Sequence, residues 1–202
     1  MKKILAFALV ALMAGAAMAD WGFWNDTRSY VNFNDDGTDT WLDLWDTGTV
    51  NQDFQGYNFG TFVLGVDVFT LNQYNTKVWK NGGSDVTGVT YFYTIYSGTR
   101  PVSPTFNSIG GSWQNNTPFQ VWGNGTVNAN LLTGLSAGTS YTLEIYGQAV
   151  GTTPNETKYD NNNNAPANYT ASFQTAAIPE PATMSLLGLG ALAMVLRRKM
   201  SK

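Results

Sequence analysis

Hydrophobic and polar residues alternate with a period of two along much of the chain between residues 20 and 175. The alternation is clearest at residues 89–96, where Val89, Tyr91, Tyr93 and Ile95 take every second position. Because successive side chains of a strand point to opposite faces, this pattern predicts a β-strand. Eight further strands are predicted at residues 29–33, 40–45, 61–71, 76–80, 119–122, 126–131, 141–150 and 169–175.

The segments between these strands are rich in Asn, Gly, Thr and Asp, which favour turns. No part of residues 20–175 has a sustained helical stripe, and a parallel sheet would need helical crossovers. The pattern therefore predicts an all-β fold, an antiparallel β-sandwich. The length suffices for one domain with its own core.

Both ends of the chain have a different pattern. Residues 1–19 combine a charged start at Lys2 and Lys3, an apolar run, and small residues at Ala17 and Ala19. This is the pattern of a secretory signal helix, which signal peptidase removes after Ala19. The exported chain is expected to begin at Asp20.

The C-terminal end begins with a linker, residues 176–181, that contains Pro179, Glu180 and Pro181. A hydrophobic helix is predicted at residues 182–196, with a rise of ~22 Å against a hydrocarbon core of ~30 Å. A basic cytoplasmic tail, residues 197–202, follows and includes Arg197, Arg198 and Lys199. A transmembrane helix this short suits a tail held during processing better than a permanent anchor.

This arrangement resembles the PEP-CTERM sorting signal of Gram-negative bacteria. Pro179, Glu180 and Pro181 match its motif, and Arg197 and Arg198 match its basic end. The resemblance implies processing by exosortase and delivery to the cell surface or extracellular matrix. The alternative is an ordinary C-terminal membrane anchor with a chance Pro-Glu-Pro sequence.

A second, shorter resemblance concerns residues 132–145. Leu135, Gly138 and Tyr141 occupy the positions of the tyrosine corner in fibronectin type III domains, although Ala137 stands where that family usually has proline. In such a corner the phenol bonds backbone a few residues upstream. The resemblance implies that the sandwich is immunoglobulin-like.

Composition limits the function classes. The chain has no cysteine and no histidine, which excludes disulfides and both serine–histidine and cysteine–histidine catalysis. Residues 20–177 carry a formal charge of −8, which argues against a nucleic-acid partner. Paired carboxylates could serve a glycosidase, but neighbours on a turn are poor evidence for that geometry. We expect no catalytic residues and no enzymatic activity.

One polar stretch has the spacing of a calcium loop. Asn32, Asn34, Asp36 and Asp43 take positions one, three, five and twelve, with Gly37 at position six. No cofactor is required, and calcium is the one candidate metal. The favoured alternative is an Asx-rich hairpin turn between two strands.

The chain has seven tryptophans beside many amides and carboxylates. Flat rings flanked by polar groups can bind carbohydrate, whereas most tryptophans of a disulfide-free sandwich fill its core. Trp113 and Trp122 neighbour Gly- and Asn-rich turns and are therefore the candidate ligand residues.

These observations predict a secreted structural or adhesive protein of the cell envelope or extracellular matrix, with a β-sandwich ectodomain at residues 20–175. Exosortase and signal peptidase are its expected processing partners, and envelope components or extracellular polysaccharide are candidate ligands. The alternative function is a carbohydrate-binding module.

Overall fold

The computed structural model describes residues 20–23, 29–44, 51–81, 85–115, 120–123, 127–152, 155–162, 168–178, 187–190, 194 and 197. The predicted signal helix lies outside these residues. Fourteen strands run through this part of the chain: β1 Asp20–Phe23, β2 Ser29–Asp35, β3 Thr38–Asp43, β4 Gln52–Asp53, β5 Asn58–Phe62, β6 Phe69–Asn81, β7 Val86–Tyr96, β8 Asn107–Gly110, β9 Ser112–Asn115, β10 Gln120–Gly123, β11 Ala129–Asn130, β12 Ser140–Gly151, β13 Thr157–Asp160 and β14 Tyr169–Thr175.

The first sheet is built around β6, a strand of 13 residues. Its main order is β4-β3-β2-β6-β10-β9. Strand β1 continues the line of β2 along one edge of β6, and β11 shares the opposite edge with β10. The long strand β6 thus pairs with four other strands, β1, β2, β10 and β11, and holds the first sheet together.

The second sheet is built around β12, a strand of 12 residues. Its order is β5-β14-β12-β7-β8, and β13 pairs with the far part of β12. Strand β14 pairs with β12 from Ser140 to Ile145 in antiparallel register. The last strand of the body therefore lies inside a sheet, between β12 and β5.

The two sheets share one hydrophobic core. The core residues follow the alternation of side chains along each strand. In β14, Tyr169, Ala171 and Phe173 are buried, while Ser172 and Gln174 are exposed. A group of phenylalanines contributed by both sheets fills the centre: Phe33, Phe54, Phe59, Phe62, Phe69 and Phe173. The Phe69 ring stacks on Phe62 at a centroid distance of 4.5 Å and meets Phe173 edge-on at 5.3 Å.

A buried carboxylate also links the elements. Asp160 at the end of β13 accepts hydrogen bonds from the phenols of Tyr91 and Tyr169, each at 2.8 Å. Burial raises the pKa of Asp160, although the hydrogen bonds from the tyrosines act in the opposite direction. Burial also raises the pKa of both phenols, so they remain protonated donors. The cluster joins β7, β13 and β14.

The all-β prediction is confirmed, but the antiparallel prediction is wrong for two strand pairs. Strand β3 pairs in parallel with β4, and β14 pairs in parallel with β5, so both sheets are mixed. Strands β5 and β14 lie far apart in the sequence, with eight other strands between them, so no single crossover connects this parallel pair. The immunoglobulin-like arrangement stays a prediction, and so do the domain boundaries.

The tyrosine corner is confirmed as a local structure. The Ser136 N–H donates to the Tyr141 phenol at 2.8 Å, and the phenol donates to the Ser136 carbonyl at 3.3 Å. The ring of Tyr141 is nearly buried and stacks on Phe173 at 5.4 Å. The corner fixes the loop that precedes β12.

One predicted strand is interrupted. Residues 61–71 divide into the end of β5, a tight turn and the start of β6. Gly65 has a φ of 78°, and the Asp67 carboxylate accepts the Val63 N–H at 2.6 Å. A left-handed glycine and a side chain that closes the turn end the strand despite its apolar composition.

Candidate functional site

The chain leaves the folded body at the end of β14. The Ala176 N–H donates to the Phe62 carbonyl at 2.8 Å, and the Ala176 carbonyl accepts the Gly138 N–H at 3.0 Å. Thr175 is fixed one residue earlier, because its hydroxyl donates to the Ser136 carbonyl at 2.7 Å. Two residues later, Ile178 is 77% exposed. The exit from the body is therefore firmly held up to Ala176.

The described residues of the C-terminal segment are helical at 187–190, 194 and 197. Leu187, Leu189 and Met194 are 71%, 63% and 71% exposed. These apolar side chains are not used in the core of the body. Arg197 is helical and exposed, while the other predicted motif and basic residues lie outside the described residues: Pro179, Glu180, Pro181, Arg198 and Lys199.

Residues 177–199 match the family model of the PEP-CTERM protein-sorting motif. The chain carries a PEP-CTERM sorting motif. This finding confirms the resemblance drawn from the sequence, and it supports a secreted protein that exosortase sorts. The motif implies an exported protein associated with the cell envelope. The chain matches no curated protein.

The PEP-CTERM segment was also expected to contain a transmembrane helix. Among the described residues, no helix has both the length and the apolar character needed to cross a membrane. The predicted signal cleavage residues, Ala17 and Ala19, lie outside the described part of the chain.

The two candidate ligand tryptophans lie together at the edge of the first sheet. Trp113 of β9 pairs with Trp122 of β10, and their rings stack at 6.3 Å and 24°. Trp113 is 47% exposed, whereas Trp122 is only 5% exposed. The Trp122 Nε1 is buried without a hydrogen-bond partner. Trp113 can thus offer a ring to a ligand, and Trp122 supports it from beneath.

The four candidate calcium ligands lie along the β2–β3 hairpin. Asn34 pairs with Asp39 in the ladder, and the turn between the strands is Asp36-Gly37, with φ values of 46° and 87°. Two positive φ values in a two-residue loop are typical of the type I′ turn. This geometry is that of the Asx-rich hairpin turn, the favoured alternative to a calcium loop.

The oxygens of these residues already accept bonds from the protein. Asp36 accepts the Val68 N–H at 2.7 Å, Asn34 accepts the Gly37 N–H at 3.1 Å, and Asp43 accepts the Asn51 amide at 2.9 Å. Asn32 accepts the Asn72 amide at 3.1 Å. The described residues contain no group of three acidic side chains placed to hold a metal. Calcium binding by these four residues stays a prediction.

A cleft of about 440 Å³ opens between β7, β8 and the loop after β11. Its lining is uncharged and combines aromatic, aliphatic, amide and hydroxyl groups: Tyr93, Thr94, Ile95, Thr105, Asn107, Asn130, Leu131, Thr133 and Leu135. An uncharged lining of this kind suits a neutral polar ligand. The cleft was not predicted from the sequence, because its lining comes from three separate segments, residues 93–95, 105–107 and 130–135.

Lys158 belongs to no motif recognised in the sequence. Its ammonium bonds the Asp20 carboxylate at 2.7 Å and the Glu156 carboxylate at 2.9 Å, and it also bonds the Trp21 carbonyl. The hydrogen bond from Lys158 lowers the pKa of Asp20. Lys158 therefore holds the first residue of β1, which is the predicted start of the exported chain, against β13.

Proposed function

We propose that this protein is a secreted, non-enzymatic structural or adhesive component of the cell envelope or extracellular matrix of a Gram-negative bacterium. Signal peptidase removes residues 1–19, and exosortase processes the C-terminal segment. The observation that carries this proposal is the direct passage from a firmly held exit strand into the sorting motif. A body with its own core and a segment with exposed apolar residues suit separation by processing.

The body supports a structural role through its packing. Its core is closed by two sheets without a disulfide. Residues 20–177 carry a formal charge of −8, which favours solubility and disfavours binding to anionic polymers. A polysaccharide partner would therefore be neutral or bridged by cations. Such a body can act as a spacer or an adhesive unit on the outside of the cell.

The proposal is tested in a host that makes exosortase, with the full chain and its Glu180→Ala variant. The wild-type protein should lose residues 1–19 and the C-terminal helix, and intact mass should report both losses. The variant should keep its C-terminal segment and remain in the membrane fraction. A Gln174→Ala variant is the control, because this exposed residue of β14 lies outside residues 177–199, and it should be processed. Normal processing of Glu180→Ala would contradict the sorting proposal.

A carbohydrate-binding function is the second candidate, favoured by the exposed ring of Trp113 stacked on buried Trp122. Sugar C–H faces stack on such rings while polar neighbours bond the hydroxyls. A glycan array followed by tryptophan fluorescence titration tests it. Saturable quenching that disappears in Trp113→Ala and persists in Trp41→Ala would support it, since Trp41 is also partly exposed, at 37%. No quenching by any glycan would favour the structural role.

A further inference from the structure

A tight turn of exposed valines lies beside the exit from the body. Val63, Val66 and Val68 are 44%, 75% and 50% exposed. Phe62, which accepts the Ala176 N–H, directly precedes this turn, residues 63–68. Within the described part of the body, no other stretch of six residues contains three exposed large hydrophobic side chains. The valine turn and the exit therefore form one surface.

The valine turn is held by its own hydrogen bonds. The N–H groups of Val66 and Asp67 donate to the Val63 carbonyl at 3.1 and 3.0 Å, and Asp67 accepts the Val63 N–H. The Asp36 carboxylate of the neighbouring hairpin accepts the Val68 N–H at 2.7 Å. A surface fixed in this way loses little conformational entropy when it binds a partner.

The chain between the exit and the sorting motif is short. Among the described residues, Ala176 is the last with a backbone hydrogen bond to the body, and Pro179 begins the motif three residues later. Three residues span at most ~10 Å. An enzyme that holds Pro179, Glu180 and Pro181 in its active site must therefore come within that distance of the exit. The valine turn begins directly after Phe62, which pairs with Thr175, so the turn lies within reach of that enzyme's surface.

The charges around the valine turn favour a protein over a lipid surface. The turn and the hairpin that contacts it contain Asp35, Asp36, Asp39 and Asp67, with no lysine or arginine in residues 34–39 or 63–68. Burial, together with the negative charges of Asp36 and Asp67, raises the pKa of Asp35, which agrees with the closeness of these carboxylates. An anionic membrane surface repels such a cluster. A protein surface with apolar groups and a basic rim complements it.

We propose that the valine turn is a docking surface for exosortase, used while the enzyme holds the sorting motif. This inference rests on the proposed function. It adds a second recognition element to the linear motif, located in the folded body. Unfolded chains lack this surface, so docking makes processing faster for a body that has already folded.

The Val66→Lys variant of the full chain tests the docking surface in the exosortase host. The rate at which the C-terminal segment is lost should fall about tenfold, the factor that corresponds to ~1.4 kcal/mol of lost contact. Val150→Lys is the matched control, because Val150 is 41% exposed and lies ten residues along β12 from Ser140, a distance of ~33 Å. It should be processed at the wild-type rate. Equal rates for wild type and Val66→Lys would overturn the proposal.

A photo-reactive residue at position 66 or 150 of the full chain identifies what the turn contacts. An adduct with exosortase from position 66 alone is expected, whereas an adduct with lipid, or no adduct, would overturn the docking proposal. The Glu180→Ala variant distinguishes failure of the sorting proposal from failure of the docking proposal. If Glu180→Ala is processed normally, the sorting proposal fails; if it is blocked while Val66→Lys is processed normally, only the docking surface fails.

Discussion

In the body of the protein, Trp21 and Phe69 are fully buried, whereas Leu187 and Leu189 in the C-terminal segment are 71% and 63% exposed. Fully burying a leucine is worth about 1.5–3 kcal/mol, so the exposed leucines retain a driving force that the body does not satisfy. The body completes its core alone, while the C-terminal segment is suited to an apolar environment outside the chain. We therefore expect that the two regions can be separated without loss of the fold.

The largest difference in stability should appear when one large apolar side chain in each region is replaced by alanine. Phe69→Ala removes the ring that contacts Phe62 and Phe173 and should lower the free energy of unfolding by about 3–5 kcal/mol. Leu189→Ala should change it by less than about 0.5 kcal/mol, because the side chain is exposed. Urea unfolding of the full chain in detergent, followed by tryptophan fluorescence, measures both. Similar losses would show that the segment packs on the body.

The buried carboxylate should give the next largest effect. Asp160→Asn keeps the shape but presents an amide NH₂ to one of the two phenols that now donate to the carboxylate. We expect a loss of about 1–3 kcal/mol.

The size of the Asp160→Asn loss should depend on pH. The folded-state pKa of Asp160 lies above its ordinary value of 3.8 because of burial, so the folded state binds this proton more tightly. The resulting stabilisation is complete below pH 3.8 and is lost as pH rises through the raised pKa. The difference in the free energy of unfolding between wild type and Asp160→Asn should therefore be larger at pH 3.5 than at pH 7, as measured by urea unfolding. A constant difference would contradict the raised pKa.

The tyrosine corner should contribute less. Tyr141→Phe leaves the Ser136 N–H without its phenol partner near the exit strand and should cost about 1–2 kcal/mol in thermal or urea unfolding. Tyr159→Phe is the control, since its side chain is 54% exposed and should have little effect. If both variants unfold like wild type, the corner does not stabilise the exit.

Alternation predicted some elements well and others poorly for identifiable reasons. The predicted strand at residues 169–175 coincides with β14, because apolar residues at every second position face the core. Strand β13 was missed, since Thr157–Asp160 has no apolar alternation and its place depends on pairing with β12. The burial of Asp160 follows from that pairing and was missed with it.

Site residues were predictable where the signal is linear. The sorting motif is a contiguous stretch that needs no tertiary structure, and the family match confirms it. The stacking of Trp113 on Trp122 depends on the pairing of β9 with β10 across an irregular register, which composition does not specify. The valine turn was predicted as part of a strand because its three valines favour a strand, although Gly65 and Asp67 favour a turn.

The smallest effect compares one glycine from each region. Gly37 has a φ of 87° in the β2–β3 turn, and a Cβ there would meet no atom within 4 Å, so the cost of Gly37→Ala is backbone strain alone. We expect a loss of about 1 kcal/mol in the free energy of unfolding of the body. Gly188→Ala also meets no atom, but it lies in the helical segment, where alanine is favoured. It should leave unfolding of the body unchanged, and a shift caused by Gly188→Ala would mean that the C-terminal helix and the body fold as one unit.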